Sequence, residues 1–220
     1  IYGHGKPTFL HWHRAYLWRF ELALRATGHD VTLPWWDWIS DPSVPAAFAD
    51  ELDAEGNPNP LYSVRINDIA LQQGAAGEGD SHSVQLAQFP DTFRQPGLPG
   101  TQLPTQDDID TVLGYPDFDS FSSKLEDWHG TVHIWTGGHM TDVPFAAYDP
   151  IFWSHHTMID RIWRIWQTAN HSASMPGTLA GEVMQPFHLT AEATLDPTAL
   201  GYDYAVSATN IAVPDGNGNG

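Results

Sequence analysis

Residues 149–161 read Asp149-Pro-Ile-Phe-Trp-Ser-His-His-Thr-Met-Ile-Asp-Arg161, and they open the clearest helical pattern in the chain. From this point apolar residues recur every three or four positions, which predicts a helix over 150–169 with one buried face. That face consists of Ile151, Ile159, Ile162, Ile165 and Trp166. His156 lies near the start of this helix, so the helix is expected to contribute both core packing and an imidazole.

A second pair of histidines lies upstream, in His129-Gly-Thr-Val-His133. The surrounding residues predict a helix over 118–135, interrupted or restarted near Asp127. Side chains four apart on a helix lie on one face, close enough to share a metal. Two ligands from this helix and His156 from its neighbour would form an ordinary metal site of a helical bundle. The pair alone is weak evidence for a metal site, because histidines four apart often occur by chance. A second histidine cluster in the same chain strengthens this evidence.

That second cluster occupies residues 4–13, which read His-Gly-Lys-Pro-Thr-Phe-Leu-His-Trp-His. A helix is predicted over 11–27, with one apolar stripe that includes His13. We therefore expect His13 to be a ligand, with His4 reaching in from the preceding loop. His11 is two positions from His13 and cannot face the same way, so it is expected to be packed or to support a ligand.

Further side chains are candidates to support the ligands. His155 is adjacent to His156 and points in another direction, which favours a supporting role. Asp37 and Asp160 are candidates to hold ligand imidazoles through the second ring nitrogen. The alternative for each carboxylate is a turn or a helix surface. The remaining histidines are expected at the surface, with His139 the one candidate to line the mouth of the site.

Composition excludes several classes of function. The net charge of −18, from 27 acidic and 9 basic residues, disfavours nucleic acid and anionic membranes as partners. No segment approaches the roughly 18 apolar residues that a membrane span needs. The absence of cysteine excludes disulfides, thiolate zinc sites, iron–sulfur clusters and blue copper. The compartment stays open, and secretion is compatible with all of this.

One domain is expected over residues 1–213, followed by a flexible Gly/Asn tail at 214–220. The chain opens without an initiator Met or a leader, which predicts a processed or truncated start. Residues 41–116 are rich in Pro, Gly and Asp and predict long loops with brief helices. Residues 31–38 should be extended and packed on the core, and the part after 169 should be irregular or short β.

The ligand types favour copper over other metals. Imidazole nitrogen suits Zn, Cu, Fe and Ni. Catalytic zinc usually comes with a general base in a motif such as His-Glu-x-x-His, which the chain lacks. Non-haem iron oxygenases use a carboxylate ligand, and neither cluster places one. Two all-nitrogen sites that face each other favour two copper ions that cycle between Cu(I) and Cu(II), with O2 as co-substrate.

The motifs resemble those of the tyrosinases, catechol oxidases and hemocyanins. His4 with Phe-Leu-x-Trp-His13-Arg-x-Tyr-Leu resembles the first copper motif of that family. The segments around His129 and His156 resemble the second. Leu-Pro-Trp-Trp-Asp-Trp at 33–38 and the closing Tyr-Asp-Tyr at 202–204 also match. The resemblance implies a mainly α fold, with a central four-helix bundle around a dinuclear copper site, long irregular loops and little β.

The resemblance also implies roles for single residues. His129, His133 and His156 would bind the second copper, while His4 and His13 would supply two of three ligands for the first. The family's remaining ligand lies upstream of the position of His4. A preceding segment or a separate polypeptide is therefore expected to supply it, unless the first site is incomplete.

Four more positions take roles from the resemblance. Glu126 would orient a water and help to deprotonate phenols, Phe152 would stack on a ligand ring, and Val143 would gate the substrate pocket. Gly130 stands where strongly hydroxylating members often have Asn or Asp, which argues against monophenol hydroxylation.

The implied reaction is the oxidation of a small phenolic substrate, an o-diphenol, to an o-quinone. Three alternatives stay open at this point. They are a tyrosinase that also hydroxylates monophenols, an o-aminophenol oxidase, and, less favoured, an O2 carrier of the hemocyanin kind.

Overall fold

Three long helices and five short ones make up most of the fold. The structure, a computed structural model, describes residues 3–77, 81–169 and 176–205. In chain order the helices are α1 Phe9–Arg25, α2 Ala46–Ala49, α3 Asp68–Ala75, α4 Ser81–Leu86, α5 Gln106–Leu113, α6 Phe118–Thr136, α7 Val143–Ala146 and α8 Ile151–Ala169. Strands β1 Val183–Met184 and β2 Leu189–Thr190 form one antiparallel pair, with Met184 opposite Leu189. No described helix is both long enough and apolar enough to cross a membrane.

Helices α1, α5, α6 and α8 form the central bundle. Helix α1 packs against α6 and α8, and the shorter α5 packs against the same two. Phe121, Trp163 and Trp166 are fully buried between them. The predicted mainly α fold with little β is confirmed for the described residues. The predicted division into residues 1–213 and a tail stays a prediction, because 206–220 lie outside the described residues.

Helix α6 differs from the sequence expectation because it is continuous. A break was expected near Asp127, yet the helix runs unbroken from Phe118 to Thr136. Asp127 lies on the solvent side, where its carboxylate pairs with Lys124 at 3.3 Å, so it does not compete with the helical backbone. The Asp117 side chain caps the first turn by accepting from Ser120 N at 2.8 Å.

A buried ionic network fixes α1 against α8. Arg14 is fully buried, and its Nε donates to Asp160 Oδ1 at 2.7 Å. The other carboxylate oxygen of Asp160 accepts from the hydroxyls of Tyr202 and Tyr204 at 2.7 and 2.8 Å. The Arg14 guanidinium also lies 3.6 Å from the ring centre of Trp163. These bonds pair two buried charges, and they hold the helix that carries His13 in register with the helix that carries His156.

The start of α8 is fixed by a second buried pair. Arg94 Nε donates to both oxygens of Asp149 at 2.9 Å, and Asp149 Oδ1 in turn accepts from Ile151 N at 3.1 Å. The extended aromatic segment joins the same region, since Trp36 N donates to Ser154 O at 3.0 Å. These contacts set the position of the first two turns of α8, which carry His155 and His156.

Candidate metal centre

Three imidazole nitrogens converge between α6 and α8. His129 Nε2 and His133 Nε2 each lie 3.3 Å from His156 Nε2. The first two residues are four apart on α6, and His156 faces them from α8. Two nitrogens each about 2.0 Å from one metal, at a tetrahedral angle, would lie about 3.3 Å apart. The spacing of these three atoms therefore fits a shared metal ion.

Backbone carbonyls hold two of the rings by their other nitrogen. His133 Nδ1 lies 2.6 Å from Met140 O, and His13 Nδ1 lies 2.9 Å from Phe9 O. A carbonyl only accepts, so each Nδ1 carries the proton and each Nε2 keeps its lone pair for a metal.

The expected carboxylate supports are therefore corrected. Asp160 bonds Arg14 and two tyrosines rather than an imidazole. Asp37 accepts from the backbone and side chain of Ser40, at 3.2 and 3.1 Å, in a turn. Among the described hydrogen bonds, neither carboxylate reaches an imidazole. The backbone carbonyls of Phe9 and Met140 orient the rings of His13 and His133 instead.

The other two predicted ligands lie directly beside this trio. The ring of His13 stacks on that of His156, with centroids 4.4 Å apart and planes at 12°. The ring of His4 lies 4.9 Å from that of His13 and 5.5 Å from that of His129. The structure thus brings together all five histidines that the sequence selected, from three helices and one loop.

The loop of His4 is attached to α6 by Glu126. Gly5 N donates to Glu126 Oε1 at 2.7 Å, which leaves the second carboxylate oxygen for another partner. Burial raises the pKa of Glu126 above its ordinary value. A carboxylate one turn before His129 is thus shared between the loop and the edge of the histidine cluster.

Burial keeps the clustered imidazoles neutral. Removal from water is the largest cause that lowers the pKa of His13, His129 and His156 well below 6.5, and the neighbouring imidazoles lower it further. The pKa of His133 falls to about 4 for the same first reason. Neutral imidazole is the form that binds a metal, so the cluster is suited to cations at neutral pH.

Two further histidines differ from expectation. His155 does not point away: it is fully buried, its ring stacks on His129 at 5.3 Å, and its ring nitrogens have no hydrogen-bond partner among the described residues. It belongs to the same group of four as His129, His133 and His156, whose ligand atoms all lie within 4.8 Å of one another. His139 is fully buried rather than exposed, with Nδ1 accepting from Phe93 N at 3.2 Å.

His11 lies on a face of α1 that is turned away from the cluster, towards Thr194 and Trp163. Its Nδ1 donates to Thr194 Oγ1 at 2.8 Å, because that hydroxyl gives its own proton to Ala191 O. Its ring lies edge-on to Trp163 at 4.9 Å. Burial lowers the pKa of His11 to about 3.

A cavity of about 950 Å³ reaches the histidines. Its walls are mainly apolar, and Val143 and Ile134, which are 47% and 50% exposed, lie where it meets solvent. Gly130 also lines the cavity, and a Cβ at this position would meet no atom within 4 Å. The ring of Phe152 lies 4.2 Å from that of His156. The roles expected for Phe152, Val143 and Gly130 stay predictions, but all three residues lie at the cavity.

The cavity also has walls that sequence reasoning did not find. Pro186 and Phe187 line it from the turn between β1 and β2. The ring of Phe187 lies 5.2 Å from Trp12 and 5.7 Å from Tyr16, which ties this turn to α1. The sequence gives little indication that this turn lines the cavity, because the position of two short strands depends on contacts that are distant in sequence.

Among the described residues the metal-binding group consists of imidazoles alone, and the chain has no cysteine, a ligand set that suits copper among other metals. The model of the common central domain of tyrosinase matches residues 2–169. The chain belongs to the tyrosinase family and is a type-3 copper protein, with a dinuclear copper site and O2 as the ligand of the family.

Individual relatives span enzymes and oxygen carriers. The chain is 33% identical to a tyrosinase of Streptomyces lincolnensis, over 88% of this chain and 77% of that protein. It is 31% identical to an A-type hemocyanin of Enteroctopus dofleini, over 79% of this chain but 14% of that much longer protein.

Solved structures agree on the fold. A functional unit of octopus hemocyanin superposes with a TM-score of 0.66 at 26% identity, over 91% of this chain and 52% of that one. Active tyrosinase of Aspergillus oryzae superposes with a TM-score of 0.69, over 94% of this chain and 76% of that one. Its identity of 20% supports the fold alone.

Proposed function

We propose that this chain is a phenol oxidase that uses O2 to convert o-diphenols to o-quinones. The observation that supports this most is the apolar cavity of about 950 Å³ that reaches the histidines and opens beside Val143. A flat aromatic ring fits an apolar cleft with few polar groups. An oxygen carrier needs room at the metals for O2 alone, so a cavity of this size favours an enzyme.

Copper bound at the five histidines would supply the redox chemistry and the Lewis acidity. His129, His133 and His156 would hold one ion by Nε2, and His4 and His13 would hold the other. For the first ion we propose that a third nitrogen comes from outside residues 3–205, as the resemblance implies. In the overall reaction two o-diphenols each lose two electrons and two protons, and one O2 becomes two waters.

The protein would orient the substrate and accept its proton. Phe152 lies against His156 and would give the substrate ring an aromatic surface beside the ion that His156 would hold. Val143 and Ile134 narrow the entrance with apolar side chains. Glu126 Oε2 is available to a water or a phenolic proton, because Oε1 is bound by Gly5 N. A carboxylate whose pKa is raised by burial is a better base near neutral pH than an exposed one.

Diphenol oxidation is favoured over monophenol hydroxylation by Gly130. This residue lines the cavity and offers no side chain to help Glu126 with a water. Hydroxylation of a monophenol requires that the phenol be deprotonated and that an oxygen atom be inserted into its ring. Oxidation of a diphenol inserts no oxygen. A true tyrosinase is therefore the second candidate, and an o-aminophenol oxidase would use the same cavity.

Oxygen uptake with 4-methylcatechol tests the proposal. The protein is loaded with copper, freed of loose metal, and compared with metal-free protein and with His156→Ala. We expect uptake and quinone absorbance with the loaded protein only. Reversible O2 binding without quinone would contradict an oxidase and favour a carrier. Turnover of tyramine without a diphenol primer would instead support the tyrosinase candidate.

A further inference from the structure

One basic side chain faces the cavity that reaches the histidines. Arg19 lies on α1, six residues after His13, and lines this cavity. At a rise of 1.5 Å per residue, the two positions are about 9 Å apart along the helix axis. Arg19 is exposed where His13 is buried, so the cavity extends from a dry end at the histidines to a charged end at Arg19.

Arg19 is one of three basic residues without an ion pair among the described residues, and of the three, which include Lys6 and Arg161, it is the one that lines this cavity. Six other basic side chains form ion pairs with carboxylates: Arg14, Arg25, Arg65, Arg94, Lys124 and Arg164. Within residues 3–77, 81–169 and 176–205, Arg19 has no such partner, and its guanidinium contacts the ring of Trp18 at 5.5 Å. In a chain with 27 acidic and 9 basic residues, an unpaired arginine in a cavity leaves its donors available to a ligand.

The charges on the cavity wall are separated from each other. Glu126 is the acidic residue among the described lining residues, and it belongs to the end near His4, where Gly5 N binds it. The wall between the two ends is largely apolar and includes Tyr16, Phe20 and Trp153. A ligand with an aromatic ring at the histidines and an anionic group on a short side chain would match this order.

We propose that Arg19 is an anion subsite of this cavity and that it selects phenols bearing a carboxylate on a short side chain. This inference rests on the proposed function, because it assumes that the ring binds at the histidines. Arg19 is a specificity residue, since it would contact the substrate far from the reacting oxygens. A guanidinium binds a carboxylate through two parallel hydrogen bonds, which gives direction as well as charge.

Substrate selectivity tests the subsite. The ratio of kcat/KM for 3-(3,4-dihydroxyphenyl)propionate to that for 4-methylcatechol is measured in the copper-loaded protein and in Arg19→Gln. We expect this ratio to fall about fivefold through KM, as for an exposed ion pair. Arg19→Lys should recover part of it. In wild type the ratio should also fall at high salt, and in Arg19→Gln it should not.

Arg65→Gln is the matched control, because it removes one exposed positive charge that pairs with Asp68 away from the cavity. It should leave the ratio unchanged. An equal fall in Arg19→Gln and Arg65→Gln, or no fall in Arg19→Gln, would overturn the subsite and leave Arg19 as a solvated surface residue.

Equilibrium binding separates this inference from the proposed function. Metal-free protein is titrated with 3-(4-hydroxyphenyl)propionate and with neutral 4-ethylphenol, followed by tryptophan fluorescence. Wild type should prefer the carboxylate, and Arg19→Gln should lose that preference. A preference retained in a protein that oxidises no catechol would support the subsite while the oxidase proposal fails. Equal affinities in wild type would overturn the subsite whatever the activity.

Discussion

The two groups of histidines are built differently. His129, His133 and His156 stand on two 19-residue helices, and the Nε2 atoms of the first two each lie 3.3 Å from that of His156. On the other side, His13 stands on α1, but His4 belongs to a loop and is partly exposed. The described hydrogen bonds attach that loop to α6 through Gly5 N and Glu126.

This difference indicates that the rigidity of the histidine site comes from the packed helices. Helices that pack through a buried core place their ligands before any metal arrives, so little entropy is lost on binding. A ligand on a loop must be held by specific contacts, and its affinity for a metal depends on them. We therefore infer that the helical group forms the stronger copper site and that the loop group depends on Glu126.

Removal of one helical ligand should have the largest effect. In His133→Ala the trio loses one of three nitrogens, and catechol oxidation should fall by at least about a hundredfold, beyond the loss typical for ligand-supporting residues. Oxygen uptake and copper content measure it. His29→Ala is the control, because His29 is an exposed histidine. Retained activity in His133→Ala would contradict the view that the histidines on α6 and α8 form the stronger copper site.

Acid should destabilise α1 through His11. Its pKa is about 3 in the folded chain and 6.5 when exposed, so between these values the unfolded chain binds more protons. Stability is therefore lost as pH falls from 6.5 towards 3. From pH 7 to pH 5 this one group should contribute a fall of about 2 kcal/mol in the free energy of unfolding.

Urea unfolding of metal-free protein at both pH values measures this fall. In His11→Gln it should be smaller by about that amount, while His29→Ala should keep the wild-type fall. An unchanged fall in His11→Gln would mean that His11 does not titrate as its burial indicates.

Two roles of Glu126 can be tested separately: holding the loop of His4 through Gly5 N, and accepting a proton from the substrate. Glu126→Ala removes the acceptor of Gly5 N, so affinity for the copper ion held by His4 and His13 should weaken by about tenfold. Glu126→Gln keeps an oxygen for that bond and should keep copper affinity, but it should lower turnover because it cannot accept a proton. Copper titrations and kcat measure the two effects. Equal copper affinity in both variants would argue against the role in holding the loop.

Gly130 should give the smallest effect. It lies inside α6 and a Cβ there meets no atom within 4 Å, so Gly130→Ala should stabilise the protein by about 0.5–1 kcal/mol. Gly130→Asn should raise tyramine hydroxylation relative to catechol oxidation, if this position assists the water at Glu126. Thermal unfolding and the ratio of the two rates measure these changes. A fall in stability of Gly130→Ala would contradict the open space seen at this position.

The sequence correctly placed His129, His133 and His156 close together, because helical periodicity is a local signal. The pair at 129 and 133 shares a face wherever α6 packs, and the core face of α8 places His156 opposite. The break expected near Asp127 was wrong, because this side chain points to solvent, where it pairs with Lys124 and leaves the helical backbone intact.

The supporting contacts were harder to predict. Asp160 was a candidate to hold an imidazole, with a helix surface as the alternative, but its partners Arg14, Tyr202 and Tyr204 are distant in sequence. The rings of His13 and His133 are held by carbonyls, which every residue has, so no residue type marks them. The position of Arg19 at the cavity could not be predicted, because the cavity is formed by segments that are distant in sequence.

Stepwise copper binding tests the difference between the two groups most directly. Metal-free protein is titrated with Cu(I) against a chromophoric chelator, for wild type, His156→Ala and His13→Ala. We predict that the tighter equivalent survives in His13→Ala and disappears in His156→Ala. Loss of the tighter equivalent in His13→Ala, with retention in His156→Ala, would contradict the view that the helices preform the stronger site.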